Sequence, residues 1–301
     1  MNIYTHQDRN IARTWLLMTS FFVLVIFVGW FVSYYLESPG ILYFAVFFAI
    51  FMNVFSYWFS DKIVLKLHKA KEATRAEHFE LWNAVENLSI TAGLPMPKLY
   101  IVEDSSPNAF ATGRDSSHAV VAVTTGLLSI LDKTELEGVI AHELSHIGNR
   151  DMLLSTVVVV LAGFIALISD FFLRAHTFGN ARSRDGRAGA ILMLIGLVFA
   201  ILSPIIATLI RLAISRKREF LADASGALLT RYPEGLANAL RKISRTEIPM
   251  RTANSATAHL FISNPFGAKK GLGFQKLFMT HPPAEDRIDA LLSTKSSSDI
   301  S

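Results

Sequence analysis

The 301-residue sequence contains no cysteine. That excludes disulfides, thiolate metal ligands and a cysteine nucleophile, and it is compatible with a reducing compartment. Charge is also scarce. Only 18% of residues are Asp, Glu, Lys or Arg, against 51% hydrophobic, and the mean hydropathy is +0.37. That balance is unusual for a wholly water-exposed protein. The formal net charge is only +4. Basic residues cluster beside apolar runs, and no aromatic-basic interleaving of an RNA-binding kind occurs, so nucleic acid is not an expected partner. No internal repeat is visible.

What the chain does have is long apolar runs. Trp15–Leu36, Ile41–Phe59, Met152–Ser169 and Ala188–Ile210 contain no charged residue. Each is long enough to cross about 30 Å of hydrocarbon. Trp15, Trp30, Tyr34, Tyr35, Tyr57 and Trp58 sit near run ends, as interfacial aromatics do. The first run is too long for a signal-peptide core and reads as a retained anchor. Arg9 and Arg13 precede it, while Lys62, Lys66, Lys69, Lys71 and Arg75 follow the second run. The turn between the two runs, Ser33–Gly40, has no Lys or Arg. The positive-inside rule puts the N-terminus and the segment after Phe59 in the cytoplasm. Arg211, Arg216, Lys217 and Arg218 bring the chain back to that side. The loop of residues 174–187 opposes the rule, with Arg174, Arg182, Arg184 and Arg187 on the expected outer side.

Two soluble segments lie between and after the runs. In the first, Lys62–Thr91 reads as one long amphipathic helix, ended by Gly93, Pro95 and Pro97. Lys98–Val102 and Ala119–Thr124 read as strands, with Pro107–Gly113 as a short edge strand between them. Gly126–Leu131 and Lys133–Gly148 read as helices. In the second segment, helices are expected at Arg216–Leu229 and Glu234–Arg245. Thr246–Gln275 reads as a mobile loop and Ser293–Ser301 as a frayed tail.

The most specific signal is His142-Glu143-Leu144-Ser145-His146. Residues four apart share a helix face, so two imidazoles can grip one ion there, with Glu143 beside them to act on a water. This points to a zinc-dependent hydrolase. A catalytic zinc usually takes three protein ligands. Glu219, on the helix that follows the fourth run, is the candidate third, because the apolar hairpin returns that helix to the face where the His helix ends. Asp223 lies one turn further on, where it can accept a hydrogen bond from a ligand imidazole and fix its tautomer.

His142–His146 and Glu219-Phe-Leu-Ala-Asp223 across a hydrophobic hairpin resemble the HtpX family of membrane metalloproteases, relatives of the CAAX prenyl endopeptidases. Pro107–Gly113 resembles that family's Asn-Ala-Phe segment, and His281-Pro282-Pro283 followed by Arg287 resembles its late element. The resemblance covers about residues 10–292. It implies a mainly α fold with a small β-sheet, built as a four-helix membrane region plus a cytosolic zincin-like protease domain. The expected organisation is two membrane helices in 1–60, the first protease part in 61–150, a membrane hairpin in 151–212, the second protease part in 213–292, and a disordered tail in 293–301.

The resemblance also implies roles for single residues. His142, His146 and Glu219 would hold one Zn2+ per chain, and Glu143 would act as catalytic base. His281 would steady the oxyanion. The backbone of Asn108, Ala109 and Phe110 would bind an extended substrate by adding a strand to the sheet edge. Arg287 would pair with Asp223 or another acid. The expected activity is cleavage of membrane or unfolded proteins, misfolded membrane proteins among them, on the cytosolic side of a bacterial inner membrane, in quality control. A specific processing peptidase of the CAAX type and a non-catalytic metal-binding scaffold are the alternatives. Retention of Glu143 argues against the scaffold, because a structural zinc site needs no base.

Overall fold

The computed structural model describes residues 3–178, 216–254, 257–267 and 282–296. The chain is mostly helical, with one small mixed sheet. Helices α1 (Ile3–Tyr35) and α2 (Pro39–Leu67) are the two described helices long and apolar enough, each taken alone, to cross a membrane. They expose large apolar side chains, among them Trp15, Phe27, Trp30, Phe44 and Phe47. Phe47, Phe51, Phe55 and Phe59 stack at four-residue spacing along the outside of α2. Water would penalise such a stripe; hydrocarbon does not.

The expected helix over Lys62–Thr91 is broken. The chain leaves α2 at His68, turns through Lys69 in the left-handed region (φ 53°), and enters strand β1 (Lys71–Glu72). Helix α3 (Phe79–Ala92) starts only later. Sheet pairing overrides the helical pattern here. Lys71 and Glu72 pair with Ile101 and Tyr100, and buried Ala73 donates to the Leu99 carbonyl. Helix α3 ends as its sequence dictates, with Gly93 at φ 65°.

The sheet contains β1, β2 (Lys98–Val102), β4 (Ala119–Thr124) and β3 (Ala109–Gly113), in that order. β2 and β4 run parallel; β1 and β3 run antiparallel to their neighbours. Both faces are covered, and period-two alternation sorts the side chains. Ala109, Ala111, Val121 and Val123 join the main core with α3 and with helices α5 (Lys133–Gly148) and α8 (Pro233–Arg245). Phe110, Val120 and Ala122 join a second cluster with Val64, Val159, Leu260 and Phe261.

After α4 (Thr125–Ile130), helix α5 opens with a capping box, in which the Asp132 side chain accepts from Glu135 N and Glu135 from Asp132 N. The chain then turns by 81° into α6 (Asp151–Phe178). The third apolar run lies in α6, and its first turns are core: Met152, Leu154, Val157 and Val158 are almost fully buried. The fourth run, and the arginine loop beyond residue 178, fall outside the described residues.

Helix α7 (Arg216–Thr230) and α8 then pack on α5, and α9 (Ala284–Ser296) closes the core through Ile288 and Leu291. Two glycines permit the close approach. A Cβ on Gly138 would sit 2.6 Å from the Leu236 nitrogen, and one on Gly226 3.0 Å from the His142 nitrogen.

Part of the expected loop Thr246–Gln275 is core instead. Thr257–Ile262 are all buried and form a short 3-10 turn followed by a bridge from Phe261 to Phe110 of β3. Residues 255–256 and 268–275 of that stretch lie outside the described residues, as do 297–301 of the expected tail.

Candidate metal centre and its surroundings

The site forms where α5, α6 and α7 meet. Helix periodicity puts His142 and His146 on one face of α5, and their Nε2 atoms are 3.2 Å apart. Tetrahedral coordination with metal–nitrogen bonds of about 2.0–2.1 Å separates two such nitrogens by about 3.3 Å. Glu219 of α7 approaches both, with Oε2 3.8 Å from His142 Nε2 and Oε1 3.7 Å from His146 Nε2. The ligand atoms of the three residues lie within 4.8 Å of one another, the one such group of three among the described residues. Two imidazoles and a carboxylate suit zinc, and the donor set fits.

Each imidazole is fixed from behind. His142 Nδ1 is 2.9 Å from Asp223 Oδ1, and His146 Nδ1 is 3.2 Å from Asp151 Oδ2. A carboxylate behind Nδ1 holds its proton there and turns the Nε2 lone pair toward the ion. Asp223 is gripped by Arg287, whose Nε and one Nη donate to its two oxygens at 2.8 and 2.6 Å. Arg287 is 1% exposed and also donates to the Ile262 carbonyl at 3.1 Å. Burial alone would raise the Asp223 pKa, but the Arg287 cation holds the carboxyl well below the usual range.

Glu143 is 1% exposed and lines the same cavity. Burial pushes its carboxyl upward; His142 and His146 pull it down, and Glu219 pushes it up again. His146 is disfavoured as a cation by burial, yet Asp151 and Glu219 bring its pKa up to about 9 in the absence of metal. The cavity measures about 30 Å³ and is also lined by Ala111, Ser155, Arg218 and His259–Ile262. That is room for an ion with a water.

The other expected site residues divide. Asn108 is buried, and its side-chain amide bonds both ways with Ser263, Nδ2 donating at 3.0 Å and Oδ1 accepting at 3.2 Å. The Ala109 carbonyl accepts from Ile262 N, and Phe110 bridges Phe261. The outer edge of Asn108–Phe110 is therefore taken by the chain itself and does not offer its backbone to another strand. Ala111, one residue on, is the part of β3 that reaches the cavity. His281 lies outside the described residues.

Sequence reading missed Asp151, Arg218 and His259. Asp151 had a readable signal, a carboxylate five residues after the second histidine. Arg218 stands beside Glu219 but looked like a solvated helix charge. His259 had no signal, because only the packing of the 257–262 segment brings it to the cavity, with Nε2 3.1 Å from the Ser155 carbonyl.

A model of peptidase family M48 matches residues 75–295. The Protease HtpX homolog of Thermoanaerobacter pseudethanolicus is 48% identical over 297 residues, 97% of each chain. The Protease HtpX homolog of Pyrococcus furiosus is 49% identical over 282 residues, 93% of this chain and 94% of that one. The crystal structure of S. mikatae Ste24p has a similar fold, with a TM-score of 0.51 at 17% identity over 96% of this chain and 67% of the other. Metalloproteases of this family are in general zinc-dependent, and their substrates are peptides or proteins. From the family match and the full-length relatives, the chain belongs to peptidase family M48 and is a membrane metalloprotease.

Proposed function

We propose that the protein is an endopeptidase that holds one Zn2+ per chain on His142, His146 and Glu219 and hydrolyses peptide bonds of membrane or unfolded proteins at the cytosolic membrane face. The observation that carries this reading is the convergence of three ligand atoms within 4.8 Å beside the buried carboxylate of Glu143. Zinc supplies a Lewis acid that activates water and polarises a carbonyl at neutral pH.

The chain's own groups do the rest. Glu143 takes the proton of the attacking water and passes it to the leaving amine. Asp223 and Asp151 keep both imidazoles in the ligating tautomer. His281 is assigned to steady the oxyanion. Ala111 is the residue of β3 that lines the cavity, and an extended substrate would lie beside it.

The N-terminal end of α1 touches the α5–α6 corner through Asn10. This supports a topology in which Arg9, Arg13 and the metal residues share the cytosolic side of a multi-pass bacterial inner-membrane protein. The proposed role is the clearing of misfolded membrane proteins, and the two apolar helices together with the likeness to proteases named HtpX support it.

The test is cleavage of casein by detergent-purified protein with zinc added, comparing wild type with Glu143→Gln. Cleavage by wild type alone is expected. Equal cleavage by both would remove Glu143 from the mechanism. Cleavage by neither, with zinc bound, would turn the assignment toward a narrow processing peptidase.

A further inference from the structure

We propose that Asn10 of the first membrane helix is a positioning residue for peptide hydrolysis, acting through Asp151 on the ligand His146. The inference rests on the reading of His142, His146 and Glu219 as the metal-binding set.

The corner between α5 and α6 is sharp, 81°. It is made by Asn149 and Arg150, and Arg150 takes a left-handed backbone (φ 56°). For a residue with a Cβ that conformation is strained and persists only where the surroundings impose it. Asn10, 139 residues earlier, supplies the constraint. Its side chain is 4% exposed. Its Nδ2 donates to the Asn149 carbonyl at 3.1 Å and to Asp151 Oδ1 at 2.6 Å. Both amide hydrogens are thus spent across one corner, on the residues either side of Arg150. Thr14, one turn on and also buried, donates to the Asn10 carbonyl and keeps this turn of α1 packed.

The second bond matters for chemistry. Rotation of a carboxylate about its last torsion is soft, so an aspartate alone does not choose its plane. Asp151 Oδ1 is held by Asn10, with the Arg218 guanidinium 3.5 Å away on the same oxygen. That leaves Oδ2 for His146 Nδ1 at 3.2 Å. The order Asn10, Asp151, His146 then ends at an Nε2 that stands 3.2 Å from its partner on His142. Outer partners of a metal-bound imidazole set its tautomer and tilt, and their loss weakens binding even though they never touch the ion. Helix α1 is therefore more than an anchor, because its cytosolic end completes the metal site.

The experiment uses full-length protein in detergent, stripped with chelator. Zinc is titrated against a chromophoric competitor, and the visible spectrum of the cobalt(II) form is recorded. Asn10→Leu keeps the volume and removes both donors. It should weaken zinc binding about 3- to 30-fold, shift the cobalt spectrum, and lower kcat with KM little changed. Met18→Ala, in the buried face of the same helix, should lower Tm and leave zinc affinity and the cobalt spectrum as in wild type. If Asn10→Leu does not accumulate, Asn10→Asp carries the same expectation, because it keeps the size and places a carboxylate against Asp151. Wild-type zinc affinity and cobalt spectrum in the Asn10 variant, with affinity lost in His146→Ala, would overturn the role of Asn10 alone. Wild-type affinity in His146→Ala would overturn the ligand assignment and this inference with it.

Discussion

His142 Nδ1 lies 2.9 Å from Asp223 Oδ1, and the same carboxylate is gripped at both oxygens by Arg287. One aspartate thereby ties α5, α7 and α9 together at the candidate metal site. Asp223→Ala should weaken zinc binding about 10- to 100-fold. It should also lower Tm, because it strands a buried guanidinium; breaking such a pair costs about 3–5 kcal/mol. Arg287→Met should destabilise to a similar degree, leaving Asp223 uncompensated. Chelator competition and thermal unfolding measure the two effects separately, and unchanged zinc affinity in Asp223→Ala would limit Asp223 to a structural role.

In the proposed mechanism Glu143, next to the assigned ligand His142 on α5, serves the reaction and not the donor set. Glu143→Gln should keep zinc affinity within a few-fold and lower kcat by about 10²- to 10⁴-fold, the usual contribution of a positioned acid–base group. His142→Ala and His146→Ala should lose metal and turnover together. Metal content by atomic absorption beside peptide turnover separates the two classes.

Gly226 follows Glu219 by seven residues, two helical turns, so both face α5. A Cβ there would meet the His142 nitrogen at 3.0 Å and the His142 Cα at 3.2 Å. Gly226→Ala should force α5 and α7 apart by a few tenths of an ångström and loosen the Glu219 contact, lowering zinc affinity measurably. Gly226→Leu should fail to assemble the site at all. Equal zinc affinity in Gly226→Ala and wild type would mean that the helices shift without opening the ligand set.

His68, where α2 ends, is buried between Phe110 and Phe261 with Nδ1 2.9 Å from Thr252 Oγ1. Burial lowers its pKa to about 4, against a smaller upward pull from Asp104. The folded state therefore resists a proton that the unfolded chain accepts near 6.5. Stability from this group is complete above that pH and is lost as pH falls toward 4, by up to about 3 kcal/mol. Tm measured from pH 7 to pH 4.5 should drop more steeply for wild type than for His68→Gln. Parallel curves would show that His68 does not titrate across folding.

The sequence was most legible where the signal is local. The His–Glu–x–x–His spacing, the apolar runs of α1 and α2, and Gly93 at the end of α3 each follow from helix geometry or solvent preference within one segment. The elements α5, α7 and α8 lie within a residue or two of their expected bounds. Reading failed where long-range pairing competes with local pattern. Lys71–Glu72 sits inside a helical periodicity but is captured by β2, and the polar stretch around Thr257–Ile262 looks like a loop yet packs along β3.

The residue types at the metal centre, the apolar lengths and the absence of cysteine were thus determined by the sequence itself, because ligand spacing and transfer free energy depend on neighbours along the chain. How the groups around the centre meet was decided by tertiary structure. Asn10 reaches Asp151 from another helix; Arg287 meets Asp223 where α9 closes over α7; Ile262 donates to the Ala109 carbonyl at the edge of β3. Each is a directional contact between residues far apart in sequence, and a hydrogen bond of about 3 Å leaves no periodicity behind for the sequence to record.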